Sequence, residues 1–191
     1  MLREVSEPLD HIDRALARLR RDELRERLRR GLPSSEIRQR LEAEGLESSG
    51  ELELLFGWYD GTDTSQAVLD DIHLFPGFYL LSLEDALANY RAFVEDSRWQ
   101  AGWLPLFANG GGDFYVFDGA GSPIGEIRHF RIDEQEHPVE FSSISTFFAT
   151  LSECFESGVF FVDPDGYLEM DDLRFGAVAG GLDPAVAWWR E

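Results

Sequence analysis

The amino-acid sequence predicts an α+β protein: helices packed on a mainly antiparallel, partly mixed sheet of about five or six strands, with an N-terminal helical arm. Three observations favour this class. Apolar residues recur at helical spacing before residue 61. After residue 64, short aromatic and β-branched runs alternate with turns rich in Gly, Pro and Asp. Apolar residues make up 43% of the chain and aromatic residues 13%, which is typical of a folded domain with a core of large rings.

The N-terminal arm, residues 1–31, is predicted to contain one helix over residues 8–30. Leu9, Ile12 and Leu16 begin a stripe of apolar side chains spaced by three or four positions, and Gly31 ends the helix. An exposed stripe of this size is unfavourable in water. We therefore expect it to be buried against the rest of the chain or against a second copy, in a homodimer.

Two shorter helices are predicted next. Ser34 or Ser35 caps the first and Ser49 caps the second, because serine oxygens accept hydrogen bonds from the free amides of a first helical turn. Gly45 and Gly61 close these helices.

Strands dominate after residue 64, with helices between them. Ser82 caps a predicted helix over 83–96, and Ser142-Ser143 cap another that ends at Gly158. A short last helix is predicted over 183–189. The predicted strands occupy residues 68–75, 78–81, 103–107, 114–117, 124–132, 138–141, 160–162 and 167–170. Because tight turns join most of them, the sheet is expected to be antiparallel rather than doubly wound.

The length of 191 residues suits one well-formed core. We expect residues 32–191 to form the α+β domain, with its main motifs between about residues 52 and 158. Cys154 is the lone cysteine and cannot form an intramolecular disulfide. The sequence shows no apolar run that could cross a bilayer and no targeting signal, so we expect a soluble cytoplasmic protein that binds no membrane.

Charge is distributed unevenly along the chain. The net charge is −20, from 37 acidic residues and 17 basic residues, all of them arginine. Residues 1–44 carry 11 Arg and 10 acids, a balance of +1, whereas residues 45–191 carry 6 Arg and 27 acids, a balance of −21. An acidic surface repels phosphate backbones, which disfavours nucleic-acid binding, and attracts basic proteins. The alternative is that the charge serves solubility alone.

No catalytic, metal-binding or cofactor-binding motif is found. The four histidines and Cys154 are scattered and lack the close spacing of zinc ligands. The sequence 163–166 (Asp-Pro-Asp-Gly) predicts a turn, since its glycine would place Phe161 at the first ligand position of a calcium loop. Gly110, Gly111 and Gly112 lack the Lys and Ser/Thr of a phosphate loop. We expect no cofactor, no metal and no enzymatic activity, with an acid/base hydrolase as the third alternative.

Residues 103–117, which read Trp-Leu-Pro-Leu-Phe-Ala-Asn-Gly-Gly-Gly-Asp-Phe-Tyr-Val-Phe, resemble the signature of the SUKH superfamily in its Smi/Knr branch. Residues 54–62, 124–127 and 141–148 resemble flanking landmarks of that family, in the family order. The arm before Gly31 and the segment after Gly158 depart from the pattern. The residues that carry the resemblance are Trp58, Asp60, Gly61, Trp103, Pro105, Gly111, Gly112, Asp113, Tyr115 and Phe147.

Most of these positions are expected to be structural, and contact with a partner is the alternative. Asp113 either caps backbone amides of its turn or contacts a partner, and capping is favoured. The resemblance implies a protein-binding module. Many bacterial members of the family resemble immunity proteins, which neutralise toxins that are often nucleases and therefore basic. Fungal members act as regulators and adaptors of cell-wall synthesis, so an intracellular scaffold is the second candidate. A toxin gene next to this one would favour immunity.

Overall fold

The computed structural model describes residues 2–121 and 125–190 of the chain. The helices in this part are α1 (Leu2–Arg18), α2 (Asp22–Arg27), α3 (Ser34–Ala43), α4 (Gly50–Trp58), α5 (Leu69–Ile72), α6 (Leu83–Phe93), α7 (Ile144–Glu156) and α8 (Asp172–Leu182), with a final 3₁₀ turn at Ala187–Arg190. The strands are β1 (Leu28–Arg30), β2 (Tyr59–Thr62), β3 (Tyr79–Leu80), β4 (Trp103–Ala108), β5 (Phe114–Asp118), β6 (Ile127–Phe130), β7 (Val139–Phe141), β8 (Phe160–Val162) and β9 (Leu168–Met170). The predicted α+β class is confirmed.

The main sheet has five antiparallel strands in the order β3-β4-β5-β6-β7, which is also their order along the chain. Its register places Tyr115 opposite His129 and Phe114 opposite Phe130. Since neighbouring residues of a strand point to opposite faces, these two pairs belong to different faces of the sheet. The predicted antiparallel sheet is confirmed.

Aromatic rings fill the space between the sheet and α7. Phe147 of α7 lies 5.3 Å from Phe107, 5.4 Å from Tyr115 and 4.9 Å from Phe141, measured between ring centroids. A capping box between Ser143 and Thr146 begins α7, as its serine predicted. Aromatic side chains therefore bury the face of the sheet that packs against α7.

The opposite face is covered by α6 and the residues that follow it. Phe93 and Trp99 lie 5.3 and 6.3 Å from Phe114, and Trp99 lies 5.0 Å from Phe130. Ser82 begins α6 by accepting a 3.0 Å hydrogen bond from the backbone N–H of Asp85.

The predicted stripe of the N-terminal arm is buried against the rest of the chain. Leu9, Ile12 and Leu16 are almost completely buried, and α1 packs against α7 and α4. The burial is therefore satisfied within one chain. A homodimer would require a surface other than this stripe.

The prediction of one helix over 8–30 is wrong. The first helix ends at Arg18, and Arg20 takes a left-handed conformation with φ of 56°. This break turns the side chain of Arg21 inward, where its guanidinium donates to the backbone carbonyls of Asp70 and Gly166. The chain then forms α2 and the short strand β1, which pairs with β2 in a separate two-stranded sheet.

Other elements also differ from the prediction. Residues 68–75 do not form a strand: the segment contains α5, with Asp70 and Asp71 in its first turn, where carboxylates favour a helix. The strand predicted over 124–132 is confirmed only as β6, and its predicted start at Ile124 lies outside the described residues. The β8–β9 hairpin forms its own sheet, so residues 68–170 do not build a single sheet.

Helix α8 was not predicted from the sequence. Its N-cap, Asp171, accepts a hydrogen bond from the backbone N–H of Arg174, and this local signal was present in the sequence. The three glycines within the helix disfavoured a helical prediction. The predicted last helix over 183–189 is instead a 3₁₀ turn that begins at Ala187. No helix in the described part of the chain is both long and apolar enough to span a membrane.

Candidate functional site

All the residues that carry the family resemblance except Phe147, which lies on α7, fall into two places in the fold, and the first is the corner between α4 and β2. The indole Nε1 of Trp58 donates a 3.0 Å hydrogen bond to Asp13, and the Tyr59 hydroxyl donates to the same carboxylate at 3.2 Å. Burial raises the pKa of the Asp13 carboxyl above its ordinary value, and the two hydrogen bonds oppose that rise. Trp58 therefore ties this corner to α1.

Asp60 and Gly61 join the same corner to α6. The Asp60 carboxylate accepts a 2.8 Å hydrogen bond from the backbone N–H of Leu83, in the first turn of α6. Gly61 has φ of +76°, and a Cβ atom there would lie 2.1 Å from the backbone nitrogen of Ser82. Glycine is required by both the conformation and the close approach. These two residues thus have structural roles.

The second place is the β4–β5 hairpin. Trp103 is buried, and its indole Nε1 has no hydrogen-bond partner among the described residues. The guanidinium of Arg128 lies 5.7 Å from the centre of its ring. Pro105 lies at an irregularity in the pairing of β4 with β5, where a missing N–H is tolerated.

The turn of this hairpin is organised by Asn109 and Asp113. The Asn109 side-chain oxygen accepts from the backbone N–H of Gly111 at 2.7 Å and of Asp113 at 3.1 Å. Asp113 accepts a 2.8 Å bond from the backbone N–H of Ile132 and a second from the Asn109 amide. Gly112, with φ of +105°, would bring a Cβ to 3.2 Å from Ile132. Asp113 therefore caps a backbone amide, but this amide belongs to Ile132, just after β6, and not to the turn that contains Asp113.

Tyr115 belongs to a buried polar cluster on the α7 side of the sheet, the Glu140 cluster, which consists of Tyr115, His129, Arg131 and Glu140. The Tyr115 hydroxyl donates a 2.9 Å hydrogen bond to Oε2 of Glu140. The other oxygen, Oε1, lies 3.1 Å from Nδ1 of His129 and 3.4 Å from the Arg131 guanidinium. The rings of Tyr115 and His129 are stacked with centroids 4.6 Å apart. Burial and the Glu140 charge hold the pKa of Tyr115 well above its ordinary value.

A surface groove adjoins this cluster and has a volume of about 750 Å³. We call it the C-terminal groove, because one of its walls comes from the last residues of the chain. Its lining residues are Glu126, Arg131, Glu134, Glu136, Pro138, Val139, Ser142, Ala185, Val186, Ala187 and Trp188. The groove combines an apolar lining with acidic side chains, a combination suited to binding a basic, partly apolar partner.

The acidic side chains of the groove differ in how far they are neutralised. Glu126 pairs with Arg128 at 3.0 Å. Among the described residues, neither Glu134 nor Glu136 has a cationic side-chain partner within 4.0 Å. Arg131 is engaged by Glu140 beneath it, and its guanidinium lies 5.2 Å from the centre of the Trp188 ring. The groove therefore retains negative charge.

The wall that carries Trp188 is fixed to the edge of the sheet. The indole Nε1 of Trp189 donates to the backbone carbonyl of Glu140, and the buried Asp183 carboxylate accepts a 2.6 Å bond from the backbone N–H of Ser142. These contacts cover the free edge of β7, which would otherwise be open to pairing with another chain. They also hold Trp188 outward, with 38% of its surface exposed.

Comparison with protein-family models and with curated proteins gives no match to this chain. No group of three or more His, Cys, Asp or Glu side chains in the described residues is arranged to hold a metal ion. Cys154 is fully buried, and burial raises the pKa of its thiol to about 12, so it stays protonated at neutral pH and is a poor nucleophile.

The groove was not identified from the sequence, although two signals for it are present. Residues 133–136 carry three acids in four positions, and Trp188-Trp189 stand together near the end of the chain. Neither signal shows that the two segments meet. Phe147 packs against Tyr115 of the cluster and against Phe141, which places the family-motif residues Phe147 and Tyr115 in the core.

Proposed function

We propose that this chain is a protein-binding module that acts in the cytoplasm and neutralises a basic toxin, in the manner of the immunity proteins of the SUKH superfamily that it resembles. The observation that carries this proposal is the segregation of charge, +1 in residues 1–44 and −21 in residues 45–191. A nuclease that grips phosphates presents a basic surface, which an acidic protein complements.

The arginines of the acidic part are too few to neutralise it, since six face 27 acids, and most of them are held in contacts within the fold. The engaged arginines are Arg91 with Glu44, Arg98 with Asp96, Arg128 with Asp118 and Glu126, Arg131 with Glu140, and Arg174 with the carbonyls of Ser157 and Gly158. Acids outnumber arginines by 21 in residues 45–191, so most of the carboxylates there have no arginine to pair with. Such a field speeds the capture of a cationic partner.

The test is co-expression with the toxin encoded by the neighbouring gene, followed by kinetic binding measurements at two ionic strengths. We expect restored growth, and an association rate that falls about tenfold from low to high salt while dissociation changes less. Toxicity that persists on co-expression, or association that is independent of salt, would contradict the proposal.

Charge reversal gives a matched comparison. The triple variant Glu84→Arg, Glu95→Arg and Asp165→Arg changes exposed acids of residues 45–191. The matched triple variant Asp10→Arg, Glu26→Arg and Glu42→Arg changes exposed acids of the near-neutral residues 1–44. The two variants alter net charge equally. We expect the first to slow association more, and an equal effect would show that no face of residues 45–191 is specifically involved.

A further inference from the structure

We infer that the C-terminal groove is the docking surface for the basic partner and that it seats a segment carrying arginine or lysine beside an apolar residue. This inference rests on the proposed function. It names the surface that contacts the partner, which the overall charge does not identify.

The apolar part of the groove supplies the contact area. Pro138 and Val139 come from the start of β7, whereas Val186 and Trp188 come from the C-terminal segment. Trp188 is exposed over 38% of its surface, although it lies on a wall fixed by the contacts of the partly buried Trp189 and the buried Asp183. An exposed tryptophan on a rigid support is the kind of residue that dominates binding energy at protein interfaces, because little conformational entropy is lost when it is covered.

The acidic part of the groove selects the charge of the occupant. Glu134 and Glu136 lie in an exposed loop and have no ion-pair partner among the described residues. The cation that does reach the groove, Arg131, is already held by Glu140 and Trp188. An incoming arginine or lysine would place its charge near the two free carboxylates and its aliphatic stem on the apolar lining.

Another acidic groove lies between α5 and the β8–β9 hairpin, with a volume of about 500 Å³, and it includes Asp70, Glu169 and Asp172. Its chemistry is less favourable for a cation at Asp70, because that carboxylate lies 3.7 Å from the His73 ring and the Arg21 guanidinium binds the Asp70 carbonyl. It also has no exposed tryptophan among its lining residues. This second groove therefore serves as the control surface.

The experiment uses the full-length protein and two blocked hexapeptides, one of alternating arginine and leucine and one of alternating glutamate and leucine, with binding measured by calorimetry and by amide chemical shifts. We expect the cationic peptide to bind, with shifts concentrated in residues 131–142 and 185–190, and the acidic peptide not to bind. Failure of the cationic peptide to bind, shifts centred elsewhere, or equal binding of the acidic peptide would overturn the inference.

Variants locate the site without relying on one substitution. We expect Trp188→Ala, and separately the pair Glu134→Gln and Glu136→Gln, to weaken binding of the cationic peptide about tenfold or more. The control pair Glu169→Gln and Asp172→Asn removes two exposed carboxylates from the other groove and should change affinity less than about twofold. An equal loss in the control would overturn the assignment of the groove.

The same variants separate the two proposals when the toxin itself is used. If wild-type protein binds the toxin and the groove variants bind it equally well, the docking surface is wrong and the proposed function stands. If wild-type protein does not bind the toxin, the proposed function fails, whatever the peptides show.

Discussion

The hydroxyl of Tyr115 donates a 2.9 Å hydrogen bond to the carboxylate of Glu140, and both side chains are buried in the described fold. The bond reaches from β5 to β7 across the intervening strand β6, whose His129 ring stacks on Tyr115 and approaches the other carboxylate oxygen. Glu140 would be costly to bury alone, and the surrounding donors offset that cost. The cluster thus fixes β7, and with it the start of one groove wall.

The substitution Tyr115→Phe tests this relationship. It removes the donor but keeps the ring, so Glu140 loses a charged hydrogen bond inside the protein, and we expect the free energy of unfolding to fall by about 2 kcal/mol. Urea denaturation measures the change. Tyr167→Phe is the control, because Tyr167 is 47% exposed, and its effect should stay within about 0.5 kcal/mol. Equal effects of the two substitutions would show that the buried bond contributes little.

Gly61 and Gly77 provide a second matched test. Both have positive φ, +76° and +83°, but a Cβ at Gly61 would lie 2.1 Å from the Ser82 nitrogen, whereas nothing lies within 4 Å of a Cβ at Gly77. Gly77→Ala should cost about 1 kcal/mol, from the backbone conformation alone. Gly61→Ala adds a clash with backbone atoms and should cost more than about 3 kcal/mol or prevent folding. Thermal unfolding compares the two variants, and similar stabilities would contradict the close approach of Gly61 to the backbone of Ser82.

The parts of the fold that were predicted correctly are those with local signals. Ser82 and Ser143 stand at the N-caps where the sequence placed them, because capping involves residues only three positions apart. The aromatic strands β4 and β5 were recognised from their composition and from the glycine turn that joins them. A capping role for Asp113 could be proposed from its place beside those glycines, but the amide that it caps, that of Ile132, lies 19 positions away and not in its own turn.

Three of the features that were missed depend on partners far away in the chain. Arg21 contacts the carbonyls of Asp70 and Gly166, which are 49 and 145 positions distant, so the pattern of residues 8–30 alone favoured an unbroken helix. The Glu140 cluster depends on the register of three strands, and the alternation of side chains within one strand does not determine that register. The groove likewise requires the C-terminal segment to return to β7.

Arg20 allows the helix break to be tested. Its φ of 56° is left-handed, a conformation that costs a non-glycine residue about 1 kcal/mol. Arg20→Gly should therefore leave the protein equally stable or more stable by up to about 1 kcal/mol. Arg14→Gly, at an exposed position inside α1, should instead destabilise by about 1 kcal/mol. Chemical denaturation measures whether each substitution raises or lowers the free energy of unfolding. If both substitutions lower it, Arg20 is part of a continuous helix.

The buried thiol of Cys154 predicts a pH dependence of stability. Burial, followed by the nearby Glu153 charge, raises its pKa from the ordinary value of 9.0 to about 12. A raised pKa means that the folded state holds the proton more tightly than the unfolded chain does. The protonated thiol of Cys154 therefore contributes to the free energy of unfolding in full below pH 9.0, and this contribution is lost as pH rises towards about 12.

The change is isolated by comparing wild-type protein with Cys154→Ala at pH 7.5 and pH 10. The cavity left by alanine affects both conditions alike, so it cancels from the comparison. At pH 10 the unfolded thiol is mostly ionised while the folded thiol is not. The wild-type advantage over Cys154→Ala in the free energy of unfolding should therefore shrink by about 1.4 kcal/mol, the value of one pKa unit. Urea denaturation at each pH gives the free energy of unfolding of both proteins. An advantage that does not change with pH would mean that the thiol ionises as readily in the folded protein as in the unfolded chain, which would contradict its complete burial on the inner side of α7.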